Sequence, residues 1–250
     1  MTPLAWTLLA IAAVLAIVDW AAVARVDLGA AGGPGSGAGG GSGTPVGIGA
    51  IPAAALPDTT RAEVARAEGI DRWARPGVTV ALIGTAAVLD PASQPQRAAF
   101  LVALGLSLAR DFTALRGGRR FPAAVAVALG AHIAYIAGFQ QVGWSWLWAA
   151  AGIVVVLVAA LGYAVRLVLG VRAAQPALTV PVVLYVGVLS VLVVAASATG
   201  QPTAVAGAFL FYCADALAGW NRFREPTPYA RTAIALAYHL AQILMVVSLL

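Results

Sequence analysis

The chain has 250 residues, of which 61% are hydrophobic and only 10% are charged, and its mean hydropathy is +0.90. A water-soluble domain of this size cannot bury so much apolar surface. The composition therefore excludes an ordinary soluble domain and predicts an all-α integral membrane protein, with residues 1–250 forming one transmembrane domain, because helices satisfy their own backbone hydrogen bonds in lipid.

Eight apolar segments are predicted to cross a bilayer core of about 30 Å as helices, although the second is short. Their residues are continuously apolar rather than alternating, which argues against a membrane β-barrel. In chain order they are Leu4–Val23, Pro76–Leu89 (extended back through Trp73), Ala98–Leu115, Phe121–Phe139, Trp144–Val165, Ala177–Ala198, Thr203–Trp220 and Ala230–Leu250.

The first connection contains two segments of distinctive composition. Residues 29–50 are dominated by Gly with Ser, Ala and Pro, which predicts a flexible cytoplasmic linker. Beyond it, Thr60 and Glu63 have the spacing of a capping box. Residues 58–73 are therefore predicted to form a helix on the membrane surface, with a solvated loop as the equal alternative.

The distribution of basic residues predicts the orientation. All 15 are Arg, and they flank the first, third, fifth and seventh connections, with Arg97 as the exception. Because basic residues are retained in the cytoplasm, both termini should face the non-cytoplasmic side of a multi-pass protein in the cell membrane. No basic surface then remains for a nucleic acid, so the formal net charge of +5 reflects topology.

Ionisable side chains inside membrane helices are costly and need a partner, a wet cavity or a function. At 1.5 Å per residue, Asp215 lies about 9 Å and Asp111 about 8 Å inside the predicted cytoplasmic ends of their helices. His132 lies deeper in its own helix, about 16 Å from Phe121. These depths predict a polar pocket open to the cytoplasm, with the two carboxylates at its mouth and His132 toward its floor.

Each acid also has a purely structural interpretation. Asp19 precedes Arg25 near a helix boundary, which favours an interfacial ion pair. Asp111 follows Arg110, so that a structural pair and a catalytic role remain equally open. Asp215 has apolar neighbours and no following basic residue before Arg222, which favours a functional role.

A weak internal repeat is visible around the three acids. Asp19 to Arg25, Asp111 to Arg116 and Asp215 to Arg222 each place an acid ahead of a cytoplasmic Arg, with an Ala between them. This echo predicts two parallel four-helix halves, each of which contributes one acid to the pocket.

Six short motifs occur in a specific order along the chain. They are Arg75-Pro76, Ser107 to Asp111, AHIAYIAGF at 131–139, Pro181 to Tyr185, GAFLFYCADALAGWNRF at 207–223, and Tyr238 with Gln242. Together they resemble the YhhN-type lysoplasmalogenase family of eight-helix membrane hydrolases, from Asp19-Trp20 to the C-terminus without the Gly-rich insert. The chain departs from that pattern at Arg75, Arg110 and Ala214, where the family usually has Lys, Gly and Ser.

The resemblance implies hydrolysis of the vinyl ether bond of a lysoplasmalogen to a fatty aldehyde and a glycerophospho-headgroup, with no cofactor and no metal. Protonation of a vinyl carbon followed by water attack requires an acid and a base near one water. Asp215 is the expected acid because its surroundings are apolar, and Asp111 the expected base because Arg110 should keep it ionised. Residues expected to bind or orient the lysophospholipid are His132, Tyr135, Tyr185, Asn221, Arg222, Tyr238 and Gln242.

Two other classes of function fit the same pattern of buried acids. A small-solute transporter requires a pocket that is reachable from both sides, whereas the buried acids here are predicted on one side only. A non-catalytic lipid-binding membrane protein would keep the pocket and tolerate loss of either acid. A retinal photoreceptor is excluded because the chain has no Lys for a Schiff base, and two His make a zinc hydrolase a poor fit.

Overall fold

The structure is a computed structural model that describes residues 2–31, 58–114, 121–225 and 227–250. Within these ranges the chain is helical and contains no β-strand. The helices are α1 (Pro3–Ala31), α2 (Asp58–Val88), α3 (Gln94–Ala114), α4 (Phe121–Phe139), α5 (Trp146–Ala159), α6 (Val165–Ala174), α7 (Thr179–Ala198), α8 (Pro202–Phe223) and α9 (Ala230–Val247). A π-helical turn at Ala160–Ala164 joins α5 to α6, so that the two form one continuous rod.

Six segments of the described chain are long and apolar enough to cross a membrane. They are Pro3–Leu28, Pro122–Phe139, Trp146–Ala174, Pro176–Ala198, Pro202–Phe223 and Ala230–Val247. Together they indicate a multi-pass membrane protein, and they coincide with six of the eight predicted spans. The prediction of eight crossings also needs α2 and α3, whose apolar runs are shorter and are bounded by charged residues.

The outer surface of α1, α5 and α7 is largely apolar, as a lipid environment requires. Large side chains project from the protein along α1, α7 and the rod formed by α5 and α6: Leu161 in the π-turn is 77% exposed, and Val180 on α7 is 67% exposed. Two uncharged polar side chains, Thr85 on α2 and Gln96 on α3, point inward and are fully buried. The low mean hydropathy of α2 comes largely from charged residues in its first half, among them Arg66, Glu68 and Arg72, which are exposed.

Helix α2 joins two segments that the sequence presents as separate. Residues 58–73 are helical and continue without a break into the apolar segment, and Pro76 lies inside the helix. The helix tolerates Pro76 although its ring removes one backbone hydrogen bond. The greater part of the predicted linker at residues 29–50 lies outside the described residues.

Close packing of α1 on α2, α3 on α4, α5 on α7 and α8 on α9 builds the bundle. Small residues permit the closest approach: a Cβ on Gly152 of α5 would lie only 2.7 Å from Oγ of Ser197 on α7. Phe100, Tyr135 and Phe139 fill the α3–α4 interface with edge-to-face rings. On its other side, α4 borders a cavity that is also lined by α6, α7 and α8.

Candidate functional site

Asp215 is held by side chains from three other helices. Its Oδ1 accepts a hydrogen bond from Nη2 of Arg110 on α3 at 3.1 Å, and its Oδ2 accepts one from the Tyr185 hydroxyl on α7 at 2.6 Å. Nε2 of His132 on α4 lies 3.5 Å from the same Oδ2. The carboxylate side chain is only 6% exposed, so α8 presents a shielded acid whose two oxygens have different partners.

The ion pair between Arg110 and Asp215 corrects a prediction. The sequence suggested that Asp215 has apolar surroundings and that Arg110 acts on its neighbour Asp111. Consecutive side chains on an α-helix point about 100° apart, and adjacent residues therefore do not face each other. Arg110 consequently turns toward α8, while Asp111 turns toward α2 and α9.

Asp111 forms a second cluster, buried between α2, α3 and α9. Thr79 donates to its Oδ2 at 3.1 Å, and the Tyr238 hydroxyl donates to its Oδ1 at 3.3 Å. The guanidinium of Arg110 lies 5.0 Å from the centre of the Tyr238 ring, a cation–π geometry. Asp111 is therefore connected to Asp215 through Tyr238 and Arg110, and the two acids lie on opposite sides of that pair.

Asp19 occupies a third buried position, contrary to the predicted interfacial ion pair. Helix α1 continues to Ala31, so Asp19 is well inside it, and the residue is fully buried. Its Oδ2 lies 3.7 Å from Nδ1 of His239, which accepts a hydrogen bond from Nε1 of Trp20. Asp19 and His239 therefore join α1 to α9 within the bundle.

A cavity of about 520 Å³ lies between the first turns of α4 and α7, the last turns of α8, and the π-turn with the first turn of α6. Most of its wall is aliphatic, including Val125, Leu129 and Leu189. The charged groups in the described part of the wall are Asp215 and Arg110, with Arg222 farther along α8. A mostly apolar chamber with a few converging polar groups is the usual form of a site for an amphipathic molecule.

The structure distributes the nine predicted site residues over several places. Asp215, Tyr185 and Arg222 line the cavity. His132 on α4 contacts Asp215 but does not line the cavity. Asp111 and Tyr238 lie on the other side of Arg110 from Asp215. The remaining three do not line the cavity: they are Tyr135, Asn221 and Gln242.

Those three residues have other surroundings. Tyr135 and Gln242 are fully buried in the core, and Asn221 accepts a hydrogen bond from the backbone of Thr227, which ties down the turn after α8. The expected chamber that joins both carboxylates to His132 thus differs from the structure, in which the cavity wall includes one carboxylate of the pair.

Sequence reasoning missed Arg110 as the partner of Asp215, and it missed Thr79 and Tyr163. The Tyr163 hydroxyl lines the cavity and donates to the carbonyl oxygen of Ala216, one residue after Asp215. Helical periodicity could have identified Arg110, because neighbours in a helix face different directions. Tyr163 carried no signal, since it lies in the π-turn.

In the described ranges, no three His, Cys, Asp or Glu residues form a cluster able to hold a metal.

Comparison with known proteins gives one match. The model of the YhhN family matches residues 72–249, which include α3 to α9 and the apolar half of α2. Neither the curated proteins nor the solved structures yield a match. The matched region contains every residue around Asp215 and Asp111 described above. The chain therefore belongs to the YhhN family.

Proposed function

We propose that this protein hydrolyses the vinyl ether bond of a lysoplasmalogen and releases a fatty aldehyde and a glycerophospho-headgroup. The family membership is compatible with a membrane hydrolase. The observation that carries the proposal is the placement of Asp215, a shielded acid, in the wall of a mostly apolar cavity that also contains Arg222.

The spacing of these two groups fits the proposed substrate. Seven residues along α8 separate Asp215 from Arg222, a rise of about 10 Å. In a lysoplasmalogen six bonds join the phosphorus to the first vinyl carbon, about 7–8 Å when extended at normal bond lengths. A phosphate held by Arg222 would therefore bring the vinyl ether to the carboxyl of Asp215.

One carboxyl group suffices for the proton transfers of this reaction. In its protonated form, Asp215 gives its proton to the second vinyl carbon, which forms a C–H bond and leaves an oxocarbenium at the first. Water attacks that carbon and returns a proton to Asp215. The hemiacetal then collapses, the glycerol oxygen leaves with a proton, and the aldehyde is released.

Once Asp215 is protonated, its partners favour transfer of the proton to the vinyl carbon. Arg110 on Oδ1 and Tyr185 on Oδ2 stabilise the carboxylate that remains after the proton has left, and hydrogen bonds to a charged group are the stronger kind. The resulting anion lies next to the positive oxocarbenium and lowers its energy. His132, in contact with the same Oδ2, fixes the position of that oxygen. Asp111 acts from the other side of Arg110, through Tyr238.

The decisive experiment compares two lipids. Purified protein in detergent is incubated with a lysoplasmalogen and with its saturated ether analogue, and aldehyde is measured by mass spectrometry. We expect aldehyde from the vinyl ether alone, because a saturated ether cannot form the oxocarbenium by protonation at carbon. In D₂O the aldehyde should carry one deuterium on the carbon beside the carbonyl.

The same experiment separates the rival functions. Binding of both lipids without aldehyde release indicates a lipid-binding protein. Movement of a solute across proteoliposomes without lipid turnover indicates a transporter. Either result contradicts the proposed hydrolysis, and deuterium at any other position contradicts the proposed proton transfer.

We also propose that the Arg222 end of the cavity faces the cytoplasm and that both termini face the opposite side. Arg222, Arg224 and Arg231 gather around the connection that follows α8, as expected for a cytoplasmic connection. In a Cys213→Ser background, Ala92→Cys between α2 and α3 should react with an impermeant maleimide in intact cells. Glu225→Cys should react only after permeabilisation, and the reverse pattern would overturn this orientation.

A further inference from the structure

The wall of the cavity reaches the outer surface of the protein between α4 and α7. On α4 and α7, four residues line the cavity and are also exposed: Pro122 and Ala126 on α4, and Pro181 and Leu184 on α7. Leu184 is 60% exposed although it belongs to the cavity wall. A residue with both properties stands at the edge of an opening, and we call these four residues the rim.

The contact between the two helices explains where this opening lies. α4 and α7 begin at the same end of the bundle, and they touch where the rings of His132 and Tyr185 lie 5.5 Å apart, edge to face. The rim lies between this contact and the beginnings of both helices. Small and cyclic residues, Ala126 and Pro181 among them, leave the space between the helices unfilled. The opening therefore faces the apolar surroundings of the bundle beside Asp215.

The inside of the cavity is too short for a fatty chain. From Asp215 the wall on α8 continues inward only to Tyr212, three residues or about 4–5 Å farther. On α7 it continues from Tyr185 to Leu189, about 6 Å. A sixteen-carbon chain extends for about 20 Å at normal bond lengths. Most of such a chain must leave the cavity.

We propose that the hydrocarbon chain of a single-chain ether lipid leaves the site sideways through the rim between α4 and α7, while its phosphate remains near Arg222. This inference rests on the proposed function and adds the path of the substrate chain. The hydrocarbon chain of the substrate then lies in the apolar core of the bilayer. Its transfer from water into that core is favourable. The reacting carbons stay beside Asp215, and the product aldehyde can leave by the same path.

The test narrows the rim and varies the length of the chain. Leu184→Trp and Ala126→Trp should each lower kcat/KM for a sixteen-carbon alkenyl substrate roughly tenfold or more, the effect of losing a few favourable contacts in an apolar site. A four-carbon alkenyl substrate ends inside the cavity, so its kcat/KM should change less than about twofold. Val183→Trp is the matched control, because Val183 is 47% exposed on α7 and does not line the cavity.

A binding measurement makes the inference independent of turnover. A saturated ether lysolipid with a diazirine in the middle of its chain is photocrosslinked to the protein in detergent, with unlabelled lysolipid as competitor. We expect competed labelling of the α4 and α7 peptides at the rim, reduced by Leu184→Trp and unchanged by Val183→Trp. Competed labelling of the rim without any aldehyde release would end the proposed function and leave the lateral path intact.

Two results would overturn the lateral path. One is an equal loss of activity on long and short chains in both rim variants, with normal melting temperatures. The other is competed labelling that falls on peptides outside the rim and is insensitive to Leu184→Trp.

Discussion

Asp215→Asn is expected to lower kcat for lysoplasmalogen hydrolysis by roughly 10²–10⁴-fold, the usual contribution of a positioned acid or base. The amide keeps the shape of the side chain but cannot give a proton to the vinyl carbon or take one from water. Aldehyde release is measured in detergent with purified protein. The matched control is Cys213→Ser on the same helix, a half-buried residue that does not line the cavity and should leave kcat unchanged.

The stability of this variant must be measured together with its activity. Asp215→Asn removes the anion that faces Arg110, and a shielded charge without its partner destabilises a protein by about 3–5 kcal/mol when it is fully buried. Because the Arg110 side chain is 25% exposed, we expect a smaller loss. The double variant Arg110→Met with Asp215→Asn should recover thermal stability without recovering hydrolysis. Full activity of a folded Asp215→Asn protein would refute the assignment.

Asp111→Asn is expected to lower kcat by roughly 10–100-fold with little change in KM, because the structure connects Asp111 to Arg110 rather than to the cavity. Loss of the Asp111 charge changes the position of the Tyr238 hydroxyl. Because Arg110 lies over the Tyr238 ring, the hydrogen bond from Arg110 to Asp215 then changes as well. Tyr238→Phe should give a loss of similar size. The double variant should be no worse than either single variant, because residues that act through one contact are not additive.

The alternative role for Asp111 predicts a different pattern. If Asp111 is itself the base that acts on water, Asp111→Asn should lose as much activity as Asp215→Asn while Tyr238→Phe keeps most of it. Thr79→Val is a useful companion, since it removes the other hydrogen bond to Asp111 without touching Tyr238. A loss with Asp111→Asn that comes with a lower melting temperature and a raised KM would contradict the positioning role.

The sequence by itself determined the class of the protein and much of its secondary structure. Long apolar runs require helices in lipid, because no other backbone conformation of this composition satisfies its own hydrogen bonds there. The helix Phe121–Phe139 was predicted with the same bounds as those observed, and α7 ends at Ala198 as predicted. The motifs around Asp111 and Asp215 likewise indicated the family, which the match over residues 72–249 shows.

Tertiary structure alone decided which charged groups meet. Sequence proximity associated Arg110 with Asp111, whereas helix rotation directs Arg110 to Asp215, a residue 105 positions away. The packing of the helices also separated the two acids, formed the cavity beside α4 and α7, and buried Asp19 next to His239. The physical reason is that local periodicity fixes how a helix forms, while the direction of each side chain acquires meaning only when another helix packs against it.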